Sequence, residues 1–261
     1  MEAQLYFFKI FTDEAHHGNP AGCVLLDDWP DSHLLQSVAS EANQVVTAFI
    51  VPVAAASFQY QIRWFSQVQE INLCGHGTLA AAALLRQLKG EGCYLFVSPY
   101  GHLEVKARAE CLEMRLPLWP SAPAGLPSAF AAYPVLDVFH TRDLVVVLAN
   151  EHAVQQFVPD FELIKQLGQH ALILTAFVAP ETYVLRYFAP TIGINEDIAT
   201  GSAQCSLVPY WAEKTGLTEF KVRQLAATPA GFSVSLEADQ LRLQTQAVAL
   251  PHLTRALTTK A

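Results

Sequence analysis

Positive charge is scarce in this sequence. Its 261 residues carry 16 Lys plus Arg against 24 Asp plus Glu, a formal net charge of −8. No excess of positive charge is available to meet a phosphate backbone, so nucleic acid is excluded as an expected partner. Cysteine is also sparse. Cys23, Cys74, Cys93, Cys111 and Cys205 make an odd number without a CxxC spacing, which argues against both a disulfide framework and a zinc knuckle. Four of the five read as ordinary small apolar residues. Long apolar runs are missing as well: the best candidate, residues 78–85, is flanked by Arg86 and Lys89 and falls well short of the ~20 residues that cross a bilayer. No membrane span is expected. The N-terminus has Glu2 where a signal peptide has Lys or Arg, and Lys9 and Asp13 interrupt its apolar run; the expected location is cytoplasmic.

Several chemistries lack their patterns. No Ser-His-Asp or P-loop spacing is present, and Gly90 to Gly92 precedes a strand pattern without a dinucleotide fingerprint. His16 and His17 sit side by side next to Gly18-Asn19-Pro20, without the convergent partners that a metal site needs, so no metal is expected.

What is abundant is apolar material. At 52% hydrophobic, 10% aromatic and 15% charged, the chain has ample side chains for a buried core. Its length suits one large domain or two of about 130 residues. A repeat favours two. Residues 63–77 read RWFSQVQEINLCGHG and residues 186–203 read RYFAPTIGINEDIATGSA. Each has an Arg-aromatic-Phe strand, a short loop, a Glu (Glu70, Glu196), a Cys or Thr (Cys74, Thr200), a Gly (Gly75, Gly201) and an Ala-rich run. Copies about half a chain apart indicate an internal duplication.

The Ala-rich runs, residues 78–88 and 202–214, are apolar nearly all round and predict helices buried on most faces, the second kinked or ended by Pro209. Amphipathic helices are expected at 32–43, 151–157 and 161–167. Strand patterns occupy 5–11, 21–26, 48–52, 58–65, 92–98, 101–108, 112–116, 144–148, 171–179, 183–188, 231–236 and 240–243. The implied fold is α+β, with many strands wrapped on one apolar helix in each half. Residues 117–134 hold five of the fifteen prolines and read as the linker, which gives lobes of 1–118 and 119–261. The last strand pattern is compatible with a return to the first lobe.

A repeated strand, glycine turn and buried helix has a chemical consequence. A helix start offers unpaired N–H groups and the positive end of a dipole, and glycine there lets a ligand reach the backbone. Gly75, Gly77, Gly201 and Ser202 are thus candidate binders of a small carboxylate-bearing molecule, with no Lys or Arg required. The alternative is that these glycines are only turn residues. Cys74 stands just before the first helix start, where the dipole favours a thiolate; the matching Thr200 is far too weak an acid for a two-thiol racemase. Packing is the competing role for Cys74.

Residues 11–25 (FTDEAHHGNPAGCVL), 41–50 (EANQVVTAFI), 63–82 (RWFSQVQEINLCGHGTLAAA) and 196–206 (EDIATGSAQCS) resemble the four signature stretches of the PhzF family, the phenazine-biosynthesis-like isomerases. The resemblance implies a diaminopimelate-epimerase-like fold of two pseudo-symmetric lobes, each a strand layer rolled around a central helix, with the active site in the cleft between them. It implies chemistry without a cofactor and, in many members, a homodimer. The family's glutamate lies in an Asn-x-Ser-Glu-Thr-x-Phe stretch. Asn43, Thr47 and Phe49 fix the register here, and the glutamate position holds Val46, which cannot carry a proton. Ile198 and Gln67 stand where the family has proline. By the same resemblance Asn43, Gly75, Gly77, Thr200, Gly201 and Ser202 are expected to contact substrate. His76 and Asp197, with Cys74, are the candidates for proton transfer. Two readings compete: an isomerase or epimerase altered or silenced at Val46, and a non-catalytic small-molecule-binding protein with the same inter-lobe carboxylate pocket. A redox-responsive thiol protein built on Cys74 is a third.

Overall fold

The structure is a computed structural model that describes residues 2–12, 18–54 and 58–258. His16 and His17 lie outside the described residues. In chain order the elements are β1 (Glu2–Thr12), β2 (Asn19–Leu25), α1 (Ser32–Ala42), β3 (Thr47–Pro52), β4 (Gln59–Phe65), β5 (Glu70–Ile71), α2 (Gly75–Lys89), β6 (Gly92–Ser98), β7 (Gly101–Ala107) and β8 (Leu112–Pro117). There follow β9 (Ala122–Pro123), β10 (Val135–His140), β11 (Leu144–Leu148), α3 (Glu151–Gln156), α4 (Phe161–Gln166), β12 (Leu172–Val178), β13 (Thr182–Ala189) and β14 (Ile194–Asp197). The chain ends with α5 (Gln204–Thr215), β15 (Glu219–Gln224), β16 (Ala230–Glu237), β17 (Gln240–Ala249) and β18 (Arg255–Thr258). The chain divides into two compact units, the first taking Gly18–Arg115 with the residues up to Thr12 and from Gln244 onward, the second taking Leu116–Leu243. The C-terminal return is physical: β17 and β18 both pair antiparallel with β1, at Phe8↔Ala249 and Ala3↔Leu257.

The duplication read from sequence is repeated in the strand pairing. In the first unit β1–β2 is antiparallel, β2–β3 parallel, β3–β4 antiparallel, β4–β6 parallel and β6–β7 antiparallel. In the second, β10–β11, β11–β12, β12–β13, β13–β15 and β15–β16 follow the same series. Each parallel step requires a crossover, and helices supply it: α1 and α2 in the first unit, α3 with α4 and then α5 in the second.

The central helix of each unit is buried, as its composition predicts. Residues His76 to Leu85 of α2 are all buried, and α2 touches β1, β2, β3, β6 and β7. Strands at both ends of the layer reach the same helix, so the layer rolls around it. In α5 the buried residues are Gln204 to Val208 and Trp211. Pro209 neither ends nor splits this helix. It removes the N–H that would bond the Cys205 carbonyl, and that carbonyl instead accepts the Trp119 N–H at 2.9 Å.

The other faces of the layers carry separate cores. Leu35, Val38, Ala39 and Ala42 of α1 pack with Phe7, Val24, Phe49 and Phe65. Val154 of α3 and Ile164 of α4 pack with Leu172, Leu174, Val184 and Phe188. The proline-rich segment is not a free tether: Phe130 is buried and stacks on Phe157 at 5.4 Å, and β9 pairs with β10. Strands β5, β9, β10, β14, β15 and β18 fall outside the expected list; β15 alternates exposed and buried residues along EFKVRQ.

Candidate functional site

In the first unit, β4 and β5 deliver the chain to α2 through Cys74, the N-cap residue, whose extended backbone lets Sγ accept the Gly77 N–H at 3.4 Å. Thr78 returns both its N–H (3.0 Å) and its hydroxyl (2.8 Å) to the Cys74 carbonyl. The N–H groups of Gly75 and His76 meet no acceptor among the described residues. The two glycines differ. A Cβ at Gly77 would lie 2.8 Å from Trp64 Cδ1 and 3.3 Å from Val46 Cγ2, whereas one at Gly75 would meet only Met114 Sδ at 3.7 Å. Gly77 is therefore a close-packing glycine, while Gly75 borders open space.

Val46 is 1% exposed and its side chain faces Gly77. Its carbonyl accepts the Gly22 N–H at 2.9 Å. Asn43 is exposed and is the C-cap of α1 at φ 52°, a left-handed conformation that asparagine tolerates. His76 is buried, with Nε2 2.9 Å from the Asn19 carbonyl oxygen. A carbonyl only accepts, so Nε2 carries the proton and donates it. Burial pushes the imidazole down to about 4, against the smaller opposing effect of that hydrogen bond. His76 is neutral at physiological pH.

In the second unit the helix begins later than expected. α5 starts at Gln204 with Ala203 as its cap residue, so Gly201 and Ser202 form the turn that feeds the helix rather than its first residues. The Gly201 and Ser202 carbonyls accept from Gln204 and Cys205, while their own N–H groups meet no acceptor among the described residues. Each unit thus presents two successive unpaired amides, Gly75 with His76 and Gly201 with Ser202. Asp197 ends β14, and the Thr200 hydroxyl donates to its Oδ2 at 2.5 Å.

A buried glutamine holds this turn. Gln224 Oε1 accepts the Thr200 N–H at 2.8 Å, and Gln224 Nε2 donates to the Asp197 carbonyl at 2.8 Å and to Thr200 Oγ1 at 3.1 Å. Gln204 donates to the Thr200 carbonyl at 3.1 Å and accepts from the Tyr183 hydroxyl. Gln204 and Gln224 are wholly buried. Every polar group on these two amides that the turn uses is paired, which is what makes a buried polar network rigid rather than costly.

Beside Ser202 lies Arg142, from the turn between β10 and β11. Its Nε and Nη2 bind both oxygens of the fully buried Asp143 at 3.0 Å each, and Nη2 also reaches the Tyr187 hydroxyl at 3.1 Å and Ser202 Oγ at 3.3 Å. The guanidinium lies 4.4 Å from the centre of the Trp119 ring.

The duplicated Arg and Glu form equivalent pairs. Arg63 binds Glu70 through Nε (2.7 Å) and Nη2 (2.6 Å), and Arg186 binds Glu196 at 2.7 and 3.1 Å. Each guanidinium lies over the Phe two residues on, Phe65 or Phe188, as the two-residue strand period requires. Arg186 further caps the Val154 and Phe157 carbonyls near the end of α3.

Comparison with known proteins agrees with this architecture. The sequence model of the phenazine biosynthesis-like proteins, PhzC-PhzF, matches residues 8–131 and 124–251. The chain belongs to the PhzF family. A curated relative, an uncharacterized isomerase of Vibrio cholerae, is 42% identical over 231 residues, covering 87% of this chain and 81% of its own length. The crystal structure of a PhzF-family protein from Enterococcus faecalis superposes with a TM-score of 0.90 at 30% identity, over 99% of this chain and 100% of that one. A hydroxyproline epimerase from Agrobacterium vitis shares the fold alone, at a TM-score of 0.63 and 8% identity over 98% and 91% of the two chains.

In the PhzF frame the structure brings Asp197, Thr200, Gly201 and Ser202 into one turn, and Cys74, Gly75, His76 and Gly77 into one helix start. Asn43 lies at the end of α1. Among the described residues no three His, Cys, Asp or Glu side chains converge as a metal site, and no helix is long and apolar enough to cross a membrane. Sequence reasoning missed Arg142, Tyr183, Gln204 and Gln224. For Gln224 a signal existed: it follows Phe220 and Val222 at inward positions of an alternating strand, and a polar residue at an inward position needs partners.

Proposed function

We propose that this protein is a cofactor-independent isomerase or epimerase acting on a small carboxylate-bearing substrate, with the proton moved by Asp197 and not by residue 46. The observation that carries this reading is the recurrence, at equivalent places in the two units, of two unpaired amides. Such amides suit a carboxylate in the ground state and stabilise it further when proton removal from the adjacent carbon puts negative charge onto its oxygens. Asp197 takes the proton and returns it at another position, its carboxylate oriented by the Thr200 hydroxyl, which Gln224 in turn holds. The neutral His76 contributes orientation, with Nε2–H committed to Asn19. Cys74 acts as the cap of α2.

A second reading, a non-catalytic small-molecule-binding protein, is favoured by one observation: the position where the family resemblance places its acid/base is occupied by a buried valine. Solvent deuterium incorporation across a panel of amino acids and cyclic hydroxy acids separates the two. Exchange without added cofactor that is lost in Asp197→Asn supports the isomerase; binding without exchange supports the second reading. We further propose a homodimer in the cytoplasm, and a monomeric mass at micromolar concentration rejects the dimer.

A further inference from the structure

We propose that Arg142, with the hydroxyls of Tyr187 and Ser202, recognises the anionic group of the ligand in the second unit. This rests on the reading above that the Gly201–Ser202 turn is a substrate site.

The geometry supports it through the count of donors. Arg142 has five N–H bonds. Nε and Nη2 are committed to Asp143, Tyr187 and Ser202, whereas Nη1 has no partner among the described residues. By accepting from Arg142, the Tyr187 and Ser202 oxygens use a lone pair and keep their own protons available. Neither hydroxyl proton meets an acceptor among the described residues. Tyr187 is 4% exposed, and burial together with the nearby Asp143 charge raises its phenol far above the usual range, so it remains a donor. Three unused donor groups therefore gather beside the unpaired Gly201 and Ser202 amides. That set fits a planar anion, and a carboxylate matches the guanidinium edge.

The arginine is also fixed before any ligand arrives. Asp143, 0% exposed, grips one edge, and Trp119 covers its face. Trp119 is itself anchored through the carbonyl that Pro209 leaves unpaired in α5. An arginine serving only to neutralise Asp143 would need neither the aromatic platform nor an idle nitrogen. The side chain is 37% exposed, which leaves that nitrogen reachable.

The test uses benzoate and its uncharged isostere benzamide, titrated into the full-length protein by calorimetry. Wild type is expected to bind benzoate at least about tenfold more tightly than benzamide, since a charge-assisted contact is lost with the amide. Arg142→Met/Asp143→Asn removes both charges together, so that no buried carboxylate is left stranded, and should remove most of the preference, leaving only what the amides and hydroxyls supply. Arg142→Lys keeps the ion pair and should retain only part of it. Equal affinities in wild type, or a full preference in the double variant, overturn the proposal. Absence of deuterium exchange with the benzoate preference intact counts against the isomerase reading alone.

Discussion

His76 makes stability depend on acid in a way that can be worked out beforehand. In the unfolded chain its imidazole titrates near 6.5; in the fold burial lowers it to about 4. Above pH 6.5 both states hold it neutral and its contribution is fully present. As pH falls from 6.5 toward 4 the unfolded chain binds a proton that the folded one refuses, and stability is lost. Linkage with those two values gives a loss of about 2 kcal/mol by pH 5 and about 3 kcal/mol by pH 4, relative to pH 7. His76→Gln keeps a side-chain N–H that can reach the Asn19 carbonyl and removes the titration. Urea unfolding at pH 7, 6, 5 and 4 is the assay, with wild type and variant compared so that the remaining carboxylates and histidines cancel. The wild-type curve should fall more steeply by the amounts above. Parallel curves would refute the buried, neutral histidine, as would an NMR titration in which His76 protonates near pH 6.5.

Four further outcomes follow from the geometry. Gly77→Ala should cost about 1–3 kcal/mol, because its Cβ would press on Trp64 and Val46, whereas Gly75→Ala should be near neutral by thermal unfolding. Arg186→Lys should destabilise by about 2 kcal/mol, through loss of the bidentate pair and of two capped carbonyls, while the equivalent Arg63→Lys, at a more exposed pair, should cost under about 1 kcal/mol. Gln224→Leu strands the Thr200 N–H and releases Asp197, so it should lower both stability, by about 2–3 kcal/mol, and any exchange rate. The phenazine-pathway dihydro-hydroxyanthranilate should be turned over weakly or not at all, since a missing acid/base costs about 10²–10⁴ in rate, and Val46→Glu should raise exchange with it.

The fold was legible where periodicity and repetition acted together. Residues 63–65 and 186–188 announce equivalent strands because an Arg that stacks on the Phe two positions on leaves the same Arg-aromatic-Phe signature in each copy. The apolar runs after Gly77 and Ser202 could only be interior helices, and both are. Residues 117–134 misled in part, because proline frequency hides the anchoring of one aromatic, Phe130, in the core. The Cys74 to Gly77 and Asp197 to Ser202 segments were readable since backbone amides are exposed by glycine turns, which sequence records. Arg142 was not, because its place beside Ser202 depends on the pairing of β10 and β11 and on a carbonyl freed 63 residues further along, at Cys205, four before Pro209. Gly77 carries a constraint that its sequence pattern does not record: a Cβ there would press on Trp64 and Val46.

The most direct measurement is proton exchange at carbon. Wild type and Asp197→Asn are incubated in deuterium oxide, without added metal or cofactor, with the panel of amino acids and cyclic hydroxy acids, and the substrates are weighed by mass spectrometry. One deuteron should enter at least one panel member in wild type, at a rate about 10²-fold or more above that in Asp197→Asn. Exchange that persists at the wild-type rate in Asp197→Asn, or no exchange with any member, contradicts it.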